Sequence, residues 1–223
     1  MADFATMRRM MVDGQVRTAD VTDPRIIDAM LALPRERFLP AHTAALAYLD
    51  LDVPVGEPVN GVAPRRLLKP MVLAKMIQAL QIESGERVLD VGCATGYAAA
   101  VLAALSGSVV ALEEDAGLVR AARETLAESG GGQIEVVQGT LSDGYEAGGP
   151  YDAILVEGAV EVPPANLCRQ LRNGGRLICI QGAVPPGKAT LYRCDAGEIS
   201  ERPVFHASAQ VLPGFARPPA FVF

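Results

Sequence analysis

The segment Val88-Leu-Asp-Val-Gly-Cys-Ala-Thr-Gly-Tyr97 carries the densest chemical information in the chain. A short apolar run ends on an acid, Asp90, and passes into Gly92, Cys93, Ala94 and Gly96. Glycines there let the backbone approach a ligand closely, and Ala94 is the next smallest residue. A second acid, Glu113, follows after a spacing of about twenty residues, where a carboxylate can accept both hydroxyls of a ribose. The charge of Asp90 separates two ligand classes. The pyrophosphate of a dinucleotide wants free backbone N–H groups and no carboxylate nearby. S-adenosylmethionine brings an ammonium and a sulfonium, which welcome one. The motif therefore points to S-adenosylmethionine, with S-adenosylhomocysteine as product, and a nicotinamide oxidoreductase fits it less well. A tight turn without a ligand is the plain structural alternative.

The surrounding pattern predicts the elements that hold this turn. Arg87–Val91, Val109–Leu112, Ile134–Val137, Tyr151–Val156 and Arg176–Ile180 are short apolar runs expected as buried strands. Helices are expected at Tyr97–Leu105, at Asp115–Glu128 (capped by Asp115, ended by Gly130 to Gly132) and at Pro163–Leu171, the last stopped by Gly174-Gly175. Such alternation predicts an α/β, doubly wound, mostly parallel sheet covered on both faces. Thr190–Cys194 and Ile199–Phe205 flank Asp195-Ala-Gly197 and predict an antiparallel C-terminal hairpin. Before residue 83 the pattern is helical and irregular. Asp3 caps a helix carrying Phe4, Met7 and Met11. Asp23-Pro24 starts another with Ile26, Ile27, Met30 and Leu31 on one face, closed by Pro34. A short helix fits Ala41–Leu49, a loop fits Asp50–Pro64, and Pro70 opens a helix whose face is Met71, Leu73, Ile77 and Leu80. The expected division is a helical extension or substrate cap at 1–82 and a cofactor-binding core with C-terminal antiparallel strands at 83–223.

Composition narrows the function. The 223 residues carry 20 basic and 26 acidic side chains, a net charge of −6, which argues against nonspecific nucleic-acid or membrane binding. With no Trp and 5% aromatics, a base-stacking platform is poorly supported. No apolar run approaches the roughly 18 residues of a membrane span, and the charged start does not resemble a signal peptide. The four cysteines form no C-x-x-C pair and are expected as small buried apolar residues. Two histidines, His42 and His206, lie in unrelated segments, so no metal site is expected. A cytoplasmic protein, monomeric or a small homo-oligomer, is the resulting expectation.

Beyond the turn, the chain resembles the protein-L-isoaspartate O-methyltransferase family. The resemblance is carried by Asp23-Pro-Arg-Ile-Ile-Asp-Ala-Met30, Pro34-Arg-Glu-Arg-Phe-Leu-Pro40, Ala47-Tyr-Leu-Asp50 and Val53-Pro-Val-Gly56. It continues through Arg87 to Ala99, Tyr151-Asp-Ala-Ile-Leu-Val156 and Leu171-Arg-Asn-Gly-Gly-Arg-Leu177. It implies a class I S-adenosylmethionine-dependent enzyme that methylates a carboxylate of isomerised aspartyl residues in proteins, as repair. By position it implies that Gly92 to Gly96 wrap the methionine part of the cofactor and Glu113 holds the ribose. Thr140 and Leu141 would border the adenine, and Glu157-Gly158 would face the transfer centre. The family's Thr-Ile-Ser-Gln-Pro-like stretch is here Arg66-Leu-Leu-Lys-Pro70, so Leu68 stands at the position of the active-site Ser. Thr140 replaces an acid, and Glu157-Gly-Ala159 replaces a small Thr-Ala-Ala-like segment. The C-terminal Phe-Val-Pro-Leu-like stretch is only loosely matched, by Val211-Leu-Pro-Gly-Phe215. Arg65, Arg66 and Lys69 are candidate cations for a substrate carboxylate. Glu157 would repel a carboxylate but serve an amine or hydroxyl acceptor as a base. A methyltransferase with another substrate and a cofactor-binding protein without turnover therefore stay open as alternatives.

Overall fold

The computed structural model describes residues 3–56, 63–130, 133–182 and 186–218. Its frame is a seven-stranded sheet built from β3 (Arg87–Val91), β4 (Ser108–Glu113), β5 (Ile134–Gln138), β6 (Tyr151–Val160), β7 (Leu171–Gln181), β8 (Lys188–Asp195) and β9 (Glu198–His206). The spatial order is β5-β4-β3-β6-β7-β8-β9. The first five of these pair in parallel; β8 and β9 add antiparallel. The chain thus works outward from β3 in one direction and then returns to its other side with β6. That reversal opens a crevice beyond the carboxyl ends of β3 and β6, where ligands of such sheets sit. The expected doubly wound sheet with a terminal hairpin is what the structure contains. Asp195 pairs with Glu198 across Ala196-Gly197, both with positive φ, a two-residue turn whose twist suits a hairpin.

Alternation along the central strands explains why they read as continuous apolar runs. Val88, Val109, Ala111, Ala153 and Leu155 join one core cluster; Leu89, Val91, Val110, Leu112, Ile154 and Val156 join the other. The first cluster also takes in α1 (Phe4–Met11), α2 (Pro24–Ala32), α3 (Pro70–Leu80) and α4 (Tyr97–Ala103). α5 (Ala116–Glu128) starts on Asp115, whose side chain accepts from the Leu118 N–H. Asp3 and Asp23 cap α1 and α2 as expected, accepting from the N–H groups of Thr6 and Arg25.

Several expectations need correction. The helix expected at Ala41–Leu49 is one 3₁₀ turn, Ala44–Leu46, closed by i→i+3 bonds from the Leu46 and Ala47 N–H groups to the Thr43 and Ala44 carbonyls. The helix expected at Pro163–Leu171 shrinks to α6, Ala165–Cys168. The Tyr151 N–H bonds to the Gln170 carbonyl and Leu171 pairs with Tyr151, so the chain is already in the sheet there. Gly174-Gly175 lies inside β7 instead of ending a helix. β6 runs four residues past Val156 because Ala159 bonds to Gln210 and Leu212 of the returning tail. The Asp50–Pro64 loop contains β1 (Val53–Pro54), which pairs with β2 (Arg66–Leu67); its residues 57–62 lie outside the described ones, as do Gly131 and Gly132. Met71 is half-buried, not core.

The stretches 35–56 and 63–68 lie over the end of β3. The Thr95 hydroxyl donates to the Phe38 carbonyl at 2.6 Å, and the Phe38 and Tyr97 rings meet edge-on at 5.4 Å. Gly96, at φ +92°, precedes α4, and a Cβ there would stand 2.8 Å from Leu126 Cδ1. Gly96→Ala should therefore destabilise the fold by about 1–3 kcal/mol, from left-handed strain and the displaced Leu126. Urea unfolding followed by circular dichroism measures this; an unchanged midpoint would mean the turn relaxes freely.

Candidate functional site

The site follows from the alternation just described. Asp90 continues the Val88 face of β3, Glu113 the Val109–Ala111 face of β4, and Glu157 the Ala153–Leu155 face of β6. All three face the side covered by the N-terminal segment, at the carboxyl ends of three adjacent strands, and all three are buried. β6 shifts register against β7 between Leu155 and Ala159, an irregularity centred on Glu157. Such bulges re-aim side chains.

The carboxyls differ in their partners. Glu113 is well satisfied: Oε2 accepts from the Ala94 N–H at 2.9 Å, and Oε1 from the N–H groups of Glu114 (2.9 Å) and Asp115 (3.3 Å). It thereby fixes the glycine turn, including Ala94, which holds a left-handed φ of +49°. Asp90 and Glu157 lie close enough to act on each other's ionisation. Two buried carboxyls side by side resist ionising together. Burial first, then the charge of Glu157, pushes Asp90 well above the usual carboxylate range. Burial also raises Glu157, against the pull of Asp90, Arg65 and Arg35. Among the described residues, both Asp90 oxygens and Glu157 Oε1 have no hydrogen-bond partner.

Two guanidinium groups face these acids. Arg35 is fully buried; Nε donates to the Ala47 carbonyl at 2.9 Å and Nη2 to the Leu68 carbonyl at 2.7 Å. Its guanidinium lies 4.6 Å above the Tyr97 ring centre, a cation–π contact. Arg35 Nη1 and the Tyr97 hydroxyl have no partner. Arg65 enters from the other side. Its Nη2 donates to the Gly92 carbonyl at 2.7 Å and lies 3.4 Å from Glu113 Oε2. Gly92, at φ +82°, makes this approach possible: a Cβ there would stand 2.5 Å from Arg65 Nη2 and 3.3 Å from Leu212 Cδ1. Leu212 also covers Gly158, where a Cβ would stand 2.5 Å from it. Arg65 and Leu212 therefore fill the space over the turn. Cavities of about 460 Å³ (lined by Asp143, Glu146 and Arg169) and about 560 Å³ (lined by Pro163, Cys168, Tyr192 and Ile199) lie elsewhere.

The residues singled out in the sequence divide by place. Asp90, Gly92, Cys93, Ala94, Gly96, Glu113, Glu157 and Gly158 come together. Burial pushes the Cys93 thiol far up, so it stays protonated and inert. Leu141 is buried and Thr140 exposed, both beyond β5. Leu68 is buried in the apolar cluster, and the polar group it offers is the carbonyl held by Arg35. Arg66 is exposed and donates to the Asp52 carbonyl; the Lys69 N–H donates to the Asp52 carboxylate. Neither side chain is brought to the acids by these bonds. Sequence reasoning missed Arg35. Only the fold shows the 3₁₀ turn Arg35–Phe38, which sets positions three apart on one face and buries both its ends.

The donor set fits a ligand with a cationic amino end and a ribose. Unpartnered acceptors on Asp90 and Glu157 suit the cation, Glu113 suits ribose hydroxyls, and Gly92 has no side chain in the way. Arg65, itself a cation, must move for such a ligand to enter. Among the described residues no group of three or more His, Cys, Asp or Glu side chains is placed to hold a metal ion.

The comparisons with known proteins agree with this geometry. Residues 7–196 match the family model described as protein-L-isoaspartate(D-aspartate) O-methyltransferase. Protein-L-isoaspartate O-methyltransferase 1 of Rhodopseudomonas palustris (strain HaA2) is 42% identical over 180 residues, 81% of this chain and 71% of that one. The protein-L-isoaspartate O-methyltransferase of Methylorubrum populi is 41% identical over 86% of each chain. A solved protein-L-isoaspartate O-methyltransferase superposes with a TM-score of 0.82 at 23% identity, covering 93% of this chain and 66% of that one. A Plasmodium falciparum protein of the same description, solved with S-adenosyl-L-homocysteine, gives 0.77 at 19% identity over 92% and 97%. These two structures speak for the fold. With the family model spanning most of the sequence and relatives near 40% identity, the chain belongs to the protein-L-isoaspartate(D-aspartate) O-methyltransferase family.

Proposed function

We propose that this protein is an S-adenosylmethionine-dependent O-methyltransferase that esterifies a carboxylate of isomerised aspartyl residues in protein or peptide substrates. The observation that carries the reading is the glycine turn of β3, clamped by Glu113 and bordered by the unpartnered carboxyls of Asp90 and Glu157. Family membership supplies the acceptor class. When bound, S-adenosylmethionine supplies a methyl group on a sulfonium, an electrophile that a carboxylate attacks without a general base. A carboxylate acceptor has a reference pKa near ~4 and is ionised at neutral pH. The chain's task is therefore positioning and the exclusion of water.

In this reading Asp90, Glu157 and Gly92 to Gly96, with Cys93 and Ala94 between, hold the amino-acid end of the cofactor. Glu113 takes the ribose, Thr140 and Leu141 the adenine side, and Gly158 the floor near the transferred methyl. Residues 1–82 act as the substrate cap over the core at 83–223, and Leu68, Arg66 and Lys69 belong to the cap's substrate side. The thiols of the four cysteines, free and buried, suit a reducing cytoplasm. Among the described residues no helix is long and apolar enough to cross a membrane. A monomer or small homo-oligomer completes the reading.

The direct assay incubates the protein with methyl-labelled S-adenosylmethionine and a peptide carrying isoaspartate, with the normal aspartyl peptide as control. Base-labile methyl ester on the isoaspartyl peptide alone is the expected result; label on neither peptide refutes the assignment. Glu113→Ala should weaken S-adenosylhomocysteine binding by about 1.5–3 kcal/mol, the worth of hydrogen bonds involving a charged group. Calorimetry reads this, and unchanged affinity would remove Glu113 from the ribose. Leu68→Ser places a hydroxyl on the substrate side. It should raise kcat/KM for the isoaspartyl peptide by about tenfold, one charged hydrogen bond, with cofactor affinity unaltered. A loss of S-adenosylhomocysteine binding in that variant would put Leu68 on the cofactor instead.

A further inference from the structure

Three buried acids line the place where an anionic acceptor must arrive. An acceptor carboxylate brought beside Asp90, Glu113 and Glu157 needs a cation within the site, or charge repulsion excludes it. The sequence offers Arg65, Arg66 and Lys69 nearby, and the structure adds Arg35. Arg66 turns outward onto the Asp52 carbonyl, and Lys69 is tied to Asp52 through its N–H. Arg35 is immobile: two carbonyls hold its Nε and Nη2, and Tyr97 lies flat beneath it.

Arg65 is different. Its backbone is anchored, since its carbonyl accepts from the Val55 N–H at 2.9 Å. The side chain is 11% exposed, and Nε is buried without an acceptor among the described residues. Both contacts of its Nη2, the Gly92 carbonyl and the Glu113 carboxylate, are contacts that a ligand with an ammonium and ribose hydroxyls would claim. One guanidinium on a fixed backbone thus stands in the ligand's place and keeps the local charge balanced.

We propose that Arg65 is an exchangeable cation: the cofactor displaces it from Gly92 and Glu113, and it then receives the acceptor carboxylate. This rests on the methyltransferase reading above. It makes binding ordered, cofactor first, because the acceptor's cation is released only when the cradle is filled. It also assigns Arg65, ahead of Arg66 and Lys69, as the positioning residue for the anionic substrate.

The test pairs two readouts on the full chain and its Arg65→Met and Arg65→Lys variants. Calorimetric titration with S-adenosylhomocysteine measures the displaced contact. Steady-state kinetics on the isoaspartyl peptide, with S-adenosylmethionine saturating, measures the acquired one. Arg65→Met should bind S-adenosylhomocysteine about tenfold more tightly and raise KM for the peptide about ten- to hundredfold, with kcat changed less. Arg65→Lys, which keeps the charge, should fall between on both. Unchanged or weaker S-adenosylhomocysteine binding in Arg65→Met overturns the exchange. An unchanged KM overturns the carboxylate role. If the unmodified protein makes no methyl ester, the isoaspartyl reading and the carboxylate role fall together, and the titration alone decides whether Arg65 yields to the cofactor.

Discussion

Carboxyl groups buried at one end of a parallel sheet have to be neutralised, and much of this molecule is arranged to do so. Asp90, Glu113 and Glu157 lie on one face at the ends of three adjacent strands because strand alternation leaves them no other side. An unpaired buried charge costs several kcal/mol even after relaxation. Three devices lower that cost here. Burial holds Asp90 well above the usual carboxylate range, Glu113 collects three backbone N–H groups, and Arg35 and Arg65 bring in two positive charges. The residual imbalance is in the oxygens of Asp90 and Glu157 that have no hydrogen-bond partner among the described residues.

The N-terminal segment owes its place to the same requirement. Arg35 comes from a 3₁₀ turn that also buries Phe38, and its bonds to Ala47 and Leu68 tie two stretches of the cap together under the acids. Thr95, within the glycine turn, reaches back to Phe38. The stretch around Phe38 and the glycine turn are therefore packed as one unit. The tail contributes from the opposite side. Gln210 and Leu212 pair with the end of β6, and Leu212 lies against Gly92 and Gly158.

The sheet was legible because its strands are buried on both faces, and such strands read as short apolar runs between glycines and caps. The glycine turn was legible because its positive φ angles restrict residue type, and Glu113 because an acid at the end of the next strand accepts from the turn's backbone. What failed did so where tertiary contacts outweigh local pattern. Ala41–Leu49 has helical composition, but only Ala44–Leu46 winds, as a 3₁₀ turn, and the carbonyls that follow it, of Ala47 and Tyr48, go to the side chains of Arg35 and Gln15. Pro163–Leu171 loses its second half to sheet pairing at Tyr151. Arg35 was invisible as a site residue because nothing in a charged run tells which arginine turns inward. Arg65 could be named as a nearby cation, but only the fold distinguishes it from Arg66, its neighbour with the opposite orientation.

The account holds that one cradle serves two cations in turn, the guanidinium of Arg65 and the amino end of the cofactor. A crystal structure of the protein with S-adenosylhomocysteine bound tests this most directly. The account predicts ribose hydroxyls on Glu113, the ligand's ammonium beside Asp90 and Glu157, and Arg65 withdrawn from the Gly92 carbonyl toward the cap. A ligand bound elsewhere, or seated over the glycine turn with the Arg65–Gly92 bond intact, would contradict it.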